Sequence, residues 1–84
     1  MYMFNSHLSR YINLYIDVKR KLGFKFEVQV GTFKMIDKAL IEKGETGPGI
    51  RREFVEFWYA KRPNESDRTR YARSLLLREF CGFL

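Results

Sequence analysis

The sequence predicts an all-α fold, a compact bundle of four helices, on three observations. Apolar residues recur at intervals of three and four, which is the spacing of a helix face. Glycine or proline interrupts this pattern near Gly23, between Gly44 and Gly49, and at Pro63. Because 84 residues with 45% hydrophobic and 17% aromatic content suffice for only one core, we predict a single domain over residues 1–84 rather than a disordered segment.

The first predicted helix begins after Ser6, a suitable N-cap, and ends before Gly23, which suits a left-handed C-terminal residue. Its apolar face comprises Leu8, Tyr11, Ile12, Tyr15, Ile16 and Leu22. Its last turn is basic, with Lys19, Arg20 and Lys21. We expect these three residues to complement the helix dipole rather than to contact a ligand.

The second predicted helix runs from about Glu27 to Lys43 and ends at Gly44. Its apolar stripe comprises Val30, Phe33, Ile36 (or Asp37) and Leu40. Gly31 lies inside it, where glycine costs roughly 1 kcal/mol relative to alanine. It therefore marks either a close approach of another backbone or a helix that begins near Gly31.

A loop follows at residues 44–49, and two further helices complete the bundle. The third carries an aromatic core face, formed by Ile50, Phe54, Phe57 and Trp58, and ends at Arg62 and Pro63. Ser66 is the predicted N-cap of the fourth, which runs to the C-terminus.

The fourth predicted helix is basic in its N-terminal half and apolar in its C-terminal half. Its apolar stripe comprises Ala72, Leu76, Phe80 and Phe83, flanked by Ser66, Arg70 and Arg73. Arginines at a helix N-terminus suit a phosphate, because free amides, the dipole and guanidinium groups all favour an anion there. The plainer alternative is a solvated face with ion pairs to Glu65 or Asp67.

Charge gives the class of partner. Sixteen Lys and Arg against ten Asp and Glu give a net charge of +6, which favours an anion, first of all nucleic acid. Acidic proteins and anionic membranes also fit this charge. Since no apolar run approaches the ~20 residues of a membrane span and no signal peptide is recognisable, we expect no membrane association and a cytoplasmic location.

The remaining chemistry-bearing residues favour structural roles. The single cysteine, Cys81, has apolar neighbours and is expected in the core, and His7 is expected to be a frayed surface residue. Trp58 is expected in the core rather than as a base-stacking platform. With no nucleophile and base in plausible arrangement and no zinc-ligand spacing, we expect no catalytic residues, no metal site and no cofactor.

Two segments resemble a known family. Residues 62–73, Arg-Pro-Asn-Glu-Ser-Asp-Arg-Thr-Arg-Tyr-Ala-Arg, with Leu77-Arg78-Glu79-Phe80 and Phe83-Leu84, resemble the last helix of the core-binding domain of tyrosine recombinases, the phage integrase family. Residues 15–26 are similar to the opening of that domain in integrases of mobile elements. The resemblance implies a SAM-like bundle, a bacterial or archaeal nucleoid-associated protein, and a role in DNA integration and recombination.

The resemblance also implies partners and site residues. The domain would clamp double-stranded DNA together with the C-terminal catalytic domain of the full-length protein, which lies outside these 84 residues, and with other recombinase protomers. DNA contacts would fall on Lys25, Gln29, Thr32, Lys34, Ser66, Arg68, Thr69, Arg70 and Arg73. The basic residues would hold phosphates, and Gln29, Ser66 and Thr69 would reach sugars or base edges. Thr69 has an equally plausible role in supporting the first turn of its helix.

The alternative function is a helical protein-interaction module that binds an acidic partner or self-associates. Its signature would be an exposed patch at Val55, Tyr59 or Tyr71.

Overall fold

The computed structural model describes residues 2–47 and 49–84. In these ranges the chain forms four α-helices and no strand: α1 Ser9–Lys21, α2 Glu27–Glu42, α3 Arg52–Tyr59 and α4 Asp67–Phe83. The molecule measures 34 × 30 × 21 Å. The prediction of a compact all-helical bundle is confirmed. Pro48 of the predicted loop lies outside the described residues. No helix of the described ranges combines the length and the apolar character that crossing a membrane requires.

Glycines end the first two helices as predicted. Gly23 and Gly44 follow α1 and α2 with φ of 100° and 67°, in the region that favours glycine. The predicted start of α1 was wrong, because Leu8 precedes its first residue and has no side-chain cap. Ser6 lies one turn earlier, where its buried hydroxyl accepts a hydrogen bond from the Leu8 amide at 3.3 Å.

Neither predicted explanation of Gly31 holds. Helix α2 begins at Glu27, four residues before it, so Gly31 is a true interior position. A Cβ atom at Gly31 would meet no heavy atom within 4 Å, so no backbone approaches closely either. The conformational cost of this glycine, roughly 1 kcal/mol relative to alanine, is therefore not offset by packing against it.

The core is built around aromatic rings from three helices. The ring of Tyr15 in α1 lies 5.8 Å from Phe33 in α2 and 5.5 Å from Phe80 in α4, and the rings of Phe33 and Phe80 are 5.2 Å apart. All three contacts are edge-to-face, which aromatic quadrupoles prefer. Burial raises the pKa of the Tyr15 hydroxyl. These rings fix the middle of α2 against the C-terminal half of α4.

The third helix contributes only part of its predicted face to the core. Phe54 and Trp58 are buried, as predicted. Phe57 is 40% exposed, and the Lys43 ammonium lies over its ring at 4.1 Å, so its assignment to the core was wrong. In this helix of 8 residues, Phe54 and Trp58 are the two side chains that are buried in the core.

The N-terminal segment is bound to α2 through a buried carboxylate. Asp37 is 6% exposed and accepts hydrogen bonds from the Ser6 amide at 2.8 Å and from the Asn5 amide at 3.0 Å. Phe4 and Leu8 on either side of these amides are buried in the core. Asp37 thus occupies a core-facing position of α2 because the chain before α1 supplies donors for its charge.

A second buried carboxylate closes the loop between α2 and α3. The side chain of Glu45 accepts hydrogen bonds from the Arg51 amide at 3.1 Å and from Arg51 Nε at 2.7 Å. These bonds hold the pKa of Glu45 below its usual value. His7 also reaches this loop, with Nε2 3.1 Å from the Gly49 carbonyl oxygen, so the expectation of a frayed surface histidine was wrong.

Candidate nucleic-acid interface

The front of α4 is shaped by a tight turn and a side-chain cap. Asn64 follows Pro63 with φ of 63°, which reverses the chain after α3. Ser66 then caps α4, because its hydroxyl accepts a hydrogen bond from the Thr69 amide at 3.1 Å, as predicted. The Thr69 hydroxyl lies 2.9 Å from the same oxygen, so Thr69 does support the first turn. The capped first turn of α4, which carries Arg68 and Arg70, is exposed to solvent.

Arg73 does not belong to that exposed surface, which corrects its assignment as a DNA contact. It is 5% exposed, and its guanidinium binds both carboxylate oxygens of Glu65, at 2.5 Å from Nε and 2.8 Å from Nη2. Nη2 also donates to the Ala60 carbonyl at 2.9 Å, and Nη1 donates to the Trp58 carbonyl. With its donors engaged inside the protein, Arg73 is not available to hold a phosphate.

Two of the four arginines of α4 cap the end of α3. Helix C-termini leave carbonyl groups without intrahelical partners. Arg73 donates to the carbonyls of Trp58 and Ala60, and Arg70 Nε donates to the Tyr59 carbonyl at 2.8 Å. Trp58 Nε1 donates back to the Arg73 carbonyl at 2.9 Å. Three consecutive carbonyls at the negative end of α3 are thus satisfied by guanidinium groups, which suits the helix dipole.

The sequence contained a signal for the burial of Arg73. Arg73 stands three, four and seven residues before the buried Leu76, Leu77 and Phe80, which is the spacing of a core position. The predicted apolar stripe used Ala72 in its place, but Ala72 is exposed. An apolar stripe that includes Leu77 instead of Ala72 places Arg73 on the buried face of α4. A buried arginine in turn requires an acidic partner.

The ion pair between Arg73 and Glu65 predicts an acid-sensitive stability. Hydrogen bonds from Arg73 lower the pKa of Glu65 from 4.5 to about 2. Above pH 4.5 the carboxylate is ionised in both states and the ion pair stabilises fully; as pH falls towards 2, the unfolded chain takes up a proton that the folded chain does not. The free energy of unfolding, measured in urea at stepped pH, should therefore fall across this window.

Glu65→Gln is the matched control for this titration. It removes the titrating group, so stability should vary less steeply over the same pH range. Glu45, whose pKa is also lowered, keeps a slope of the same sign. An equally steep dependence in the variant would contradict the assignment to Glu65.

The other four residues predicted at the front of α4 are exposed: Ser66, Arg68, Thr69 and Arg70. Within residues 2–47 and 49–84, neither Arg68 nor Arg70 forms an ion pair. Residues two positions apart differ by 200° around a helix axis. Arg68 and Arg70 therefore flank the end of α4 on nearly opposite sides. They can reach a common anion only if it approaches along the helix axis.

One flank of this end is a shallow recess beside Arg70. A cavity of about 260 Å³ is lined by Tyr59, Asp67, Arg70, Tyr71 and Ser74. Lys61 lies 3.3 Å from Asp67, so the acidic residue of the first turn is neutralised by a neighbour from the α3–α4 connection. The charge remaining exposed at this end of α4 is therefore positive.

The predicted contacts of the second helix do not form one surface. Lys25 and Gln29 are exposed near the start of α2, and Lys34 is exposed further along. Thr32 is half-buried, and its hydroxyl donates to the Val28 carbonyl of its own helix at 3.4 Å. Thr32 and Lys34 differ by 200° around α2, so the structure does not bring these two residues together on one face.

The two halves of the predicted interface also lie far apart. Phe26, between Lys25 and Gln29 in the chain, packs on Tyr15 and Phe33, and these two rings contact Phe80. Phe80 lies 14 residues after Ser66, which corresponds to about 21 Å along α4. An interface that used both halves would have to span this length.

Other basic residues have structural partners. Lys21 pairs with Asp17 at 3.0 Å, Arg20 Nε donates to the Lys25 carbonyl at 3.1 Å, and Lys19 lies over the ring of Tyr15 at 5.4 Å. These contacts fit the predicted structural role of the last turn of α1.

Two predicted core residues, Trp58 and Cys81, do lie against the core. Trp58 is 1% exposed, which excludes a base-stacking role in this conformation. Cys81 is partly buried against the core, and burial raises the pKa of its thiol, which opposes formation of the nucleophilic thiolate.

The chain was compared with protein-family models, with curated proteins and with solved structures, and none of them matches it.

Proposed function

We propose that this protein is a non-catalytic module that binds double-stranded DNA through the front of α4. The observation that carries the proposal is the exposed pair Arg68 and Arg70 at a capped helix N-terminus, in a chain of net charge +6. Free amides, dipole and guanidinium groups at such an end all favour phosphate. The two arginines would hold phosphates, and the hydroxyls of Ser66 and Thr69 would contact the adjacent sugar or phosphate.

The arrangement favours an approach of the DNA backbone along the axis of α4. Arg68 and Arg70 lie on opposite sides of the helix end, so each would bind a different phosphate on either side of it. Contacts of this kind fix the position of the protein on the duplex and carry little sequence information. Binding should therefore depend strongly on salt, because each phosphate contact releases condensed counterions.

A finer proposal concerns the biological role. The resemblance of residues 62–73 and 15–26 to core-binding domains favours a clamp domain of a tyrosine recombinase, acting in integration and recombination with a catalytic domain and other protomers. Lys25, Gln29 and Lys34 would then contact DNA away from α4, while Thr32 would have to release its intrahelical hydrogen bond. A coding sequence that continues after Leu84 with a His-x-x-Arg motif and a later tyrosine would support this role.

The DNA proposal is tested by removing both arginines. Fluorescence anisotropy with a short duplex should show that Arg68→Ala/Arg70→Ala lowers affinity by about tenfold or more and reduces the salt slope by about 2. The melting temperature should change little, because the one hydrogen bond lost, from Arg70 to Tyr59, is exposed and worth about 1 kcal/mol or less.

The matched control is Arg52→Ala/Arg78→Ala, which removes the same charge from two other exposed positions. If binding reflects only net charge, both double variants should weaken it equally, and the assignment to α4 would be contradicted. Binding that survives at the wild-type level in the α4 variant would contradict it as well.

The alternative of an interaction module for an acidic partner receives less support at its predicted position. Tyr71 is 67% exposed, but Val55 and Tyr59 are partly buried against the core. A single exposed tyrosine is ordinary for a protein surface.

A further inference from the structure

Helix α1 exposes a line of apolar side chains. Tyr11 is 47% exposed, Leu14 48% and Val18 37%, and Leu22 continues the line with 68%. Tyr11 and Leu22 were predicted to face the core, so this exposure corrects their assignment. We call Tyr11, Leu14 and Val18 the α1 stripe. At 100° per residue its members fall within an arc of about 60° on one side of the helix.

The spacing of the α1 stripe is that of a helix-packing seam. Its members are separated by three and then four residues, which is the a–d–a spacing of helices that pack along their length. The core side of α1, formed by Ile12, Tyr15 and Ile16, is already covered by other helices. The stripe is therefore a second apolar face, which residues 2–47 and 49–84 leave about half exposed.

Charges of opposite sign border the stripe on the same side. Arg10 and Asp17 both lie next to Leu14 around the helix, and both are exposed. Seven residues separate them, which corresponds to about 10 Å along the axis, so they do not pair within one helix. Asp17 pairs with Lys21, with 58% of its side chain exposed, and within the described ranges Arg10 forms no ion pair.

We propose that the protein forms a homodimer in which α1 packs antiparallel on α1 of a second copy, about a two-fold axis at Leu14. Tyr11 stands three residues before Leu14 and Val18 four residues after it, so each Tyr11 would lie level with the Val18 of the other copy to within about 1.5 Å. Arg10 stands four residues before Leu14 and Asp17 three residues after it. The same two-fold axis therefore places each Arg10 beside the Asp17 of the other copy. The apolar seam and the charges thus specify the same register.

This complementarity favours a second copy over other occupants. An isologous interface requires one patch that matches itself, and a flank with one positive and one negative charge at equal distances from a centre meets that requirement. A uniformly acidic partner would face Asp17 with a like charge. In a parallel arrangement the two-fold axis would run along the helices and carry Arg10 and Asp17 of the second copy to the opposite flank of the seam, so these charges could not pair. The proposal does not depend on DNA binding, because the α1 stripe and the front of α4 share no residue.

Sedimentation equilibrium over a wide concentration series, without DNA, tests the proposal. The wild type should shift from monomer to dimer mass as concentration rises. Leu14→Asp should remain monomeric and keep its melting temperature, because half of this side chain is already in water. Met35→Asp, which places the same charge on a 51% exposed residue of α2, should dimerise like the wild type. A wild type that stays monomeric, or a Leu14→Asp variant that dimerises equally well, would overturn the proposal.

Charge exchange tests the antiparallel register. R10D and D17R should each weaken dimerisation by about tenfold, because each places like charges together twice across the two-fold axis. The double variant R10D/D17R restores opposite charges at both places and should recover most of the wild-type dimer. Single variants that dimerise like the wild type, or a double variant as weak as the singles, would overturn the antiparallel arrangement.

Discussion

Arg73→Ala should lower the free energy of unfolding by about 3 to 5 kcal/mol, the cost of breaking a buried ion pair by removing one partner. The substitution leaves the Glu65 carboxylate without its guanidinium and the carbonyls of Trp58 and Ala60 without donors. A domain of 84 residues has about 4 to 12 kcal/mol of stability in total, so a large part of it would be lost. Urea unfolding monitored by circular dichroism measures the effect directly.

A control variant and a double variant allow this prediction to be tested even if Arg73→Ala does not fold. Arg78→Ala removes an exposed arginine from the same helix and should change stability by less than about 0.5 kcal/mol. Arg73→Met with Glu65→Met removes both charges and should be more stable than Arg73→Met alone, because no buried carboxylate is left unpaired. An Arg73→Ala protein as stable as Arg78→Ala would show that Arg73 is a surface residue after all.

The contrast between Arg70 and Arg73 separates DNA binding from folding. Both arginines were predicted as phosphate contacts three residues apart, but only Arg70 remains exposed. A loss of DNA binding in an Arg73 variant would report unfolding and would say nothing about contact. Of the two, only Arg70 is left, together with Arg68, as a basic residue of α4 on which the proposed interface would depend.

Local signals allowed the helix ends to be predicted. The backbone after α1 and after α2 is left-handed, a conformation that favours glycine, and it is occupied by Gly23 and Gly44. Ser66 caps the first turn of α4. Each effect involves only neighbouring residues. The periodicity of apolar residues also identified most of the core. The boundaries of α2 and α4 were accordingly predicted to within one residue, whereas α1 begins three residues after Ser6 and α3 ends at Tyr59 instead of Arg62.

Roles that depend on a distant partner could not be predicted. Arg73 is buried because Glu65 and the end of α3 supply its partners, and His7 is partly buried beside the carbonyl of Gly49, 42 residues later in the chain. Tyr11 and Leu22 have the helical spacing of core residues but lie on a face of α1 that the other helices do not cover. Periodicity defines which residues share a face, but the packing of the bundle decides which face is buried.

The role of Asp37 also depends on partners distant in the chain, and its substitution is the second change expected to lower stability strongly. Asp37→Ala should lower the free energy of unfolding by about 3 kcal/mol, because hydrogen bonds to a buried charge are strong and their loss leaves the amides of Asn5 and Ser6 unsatisfied. The segment that positions Phe4 and Leu8 in the core would lose its anchor on α2. Glu42→Ala removes an exposed carboxylate from the same helix and should have almost no effect.

Amide hydrogen exchange distinguishes loss of this anchor from general destabilisation. In the wild type the Ser6 amide should exchange slowly, since it is buried and bonded to Asp37 at 2.8 Å. In Asp37→Ala the amides of Asn5 and Ser6 should exchange much faster, while amides in the middle of α4 change only by the loss in global stability. If all amides accelerated by the same factor, Asp37 would stabilise the whole bundle without specifically anchoring its N-terminal segment.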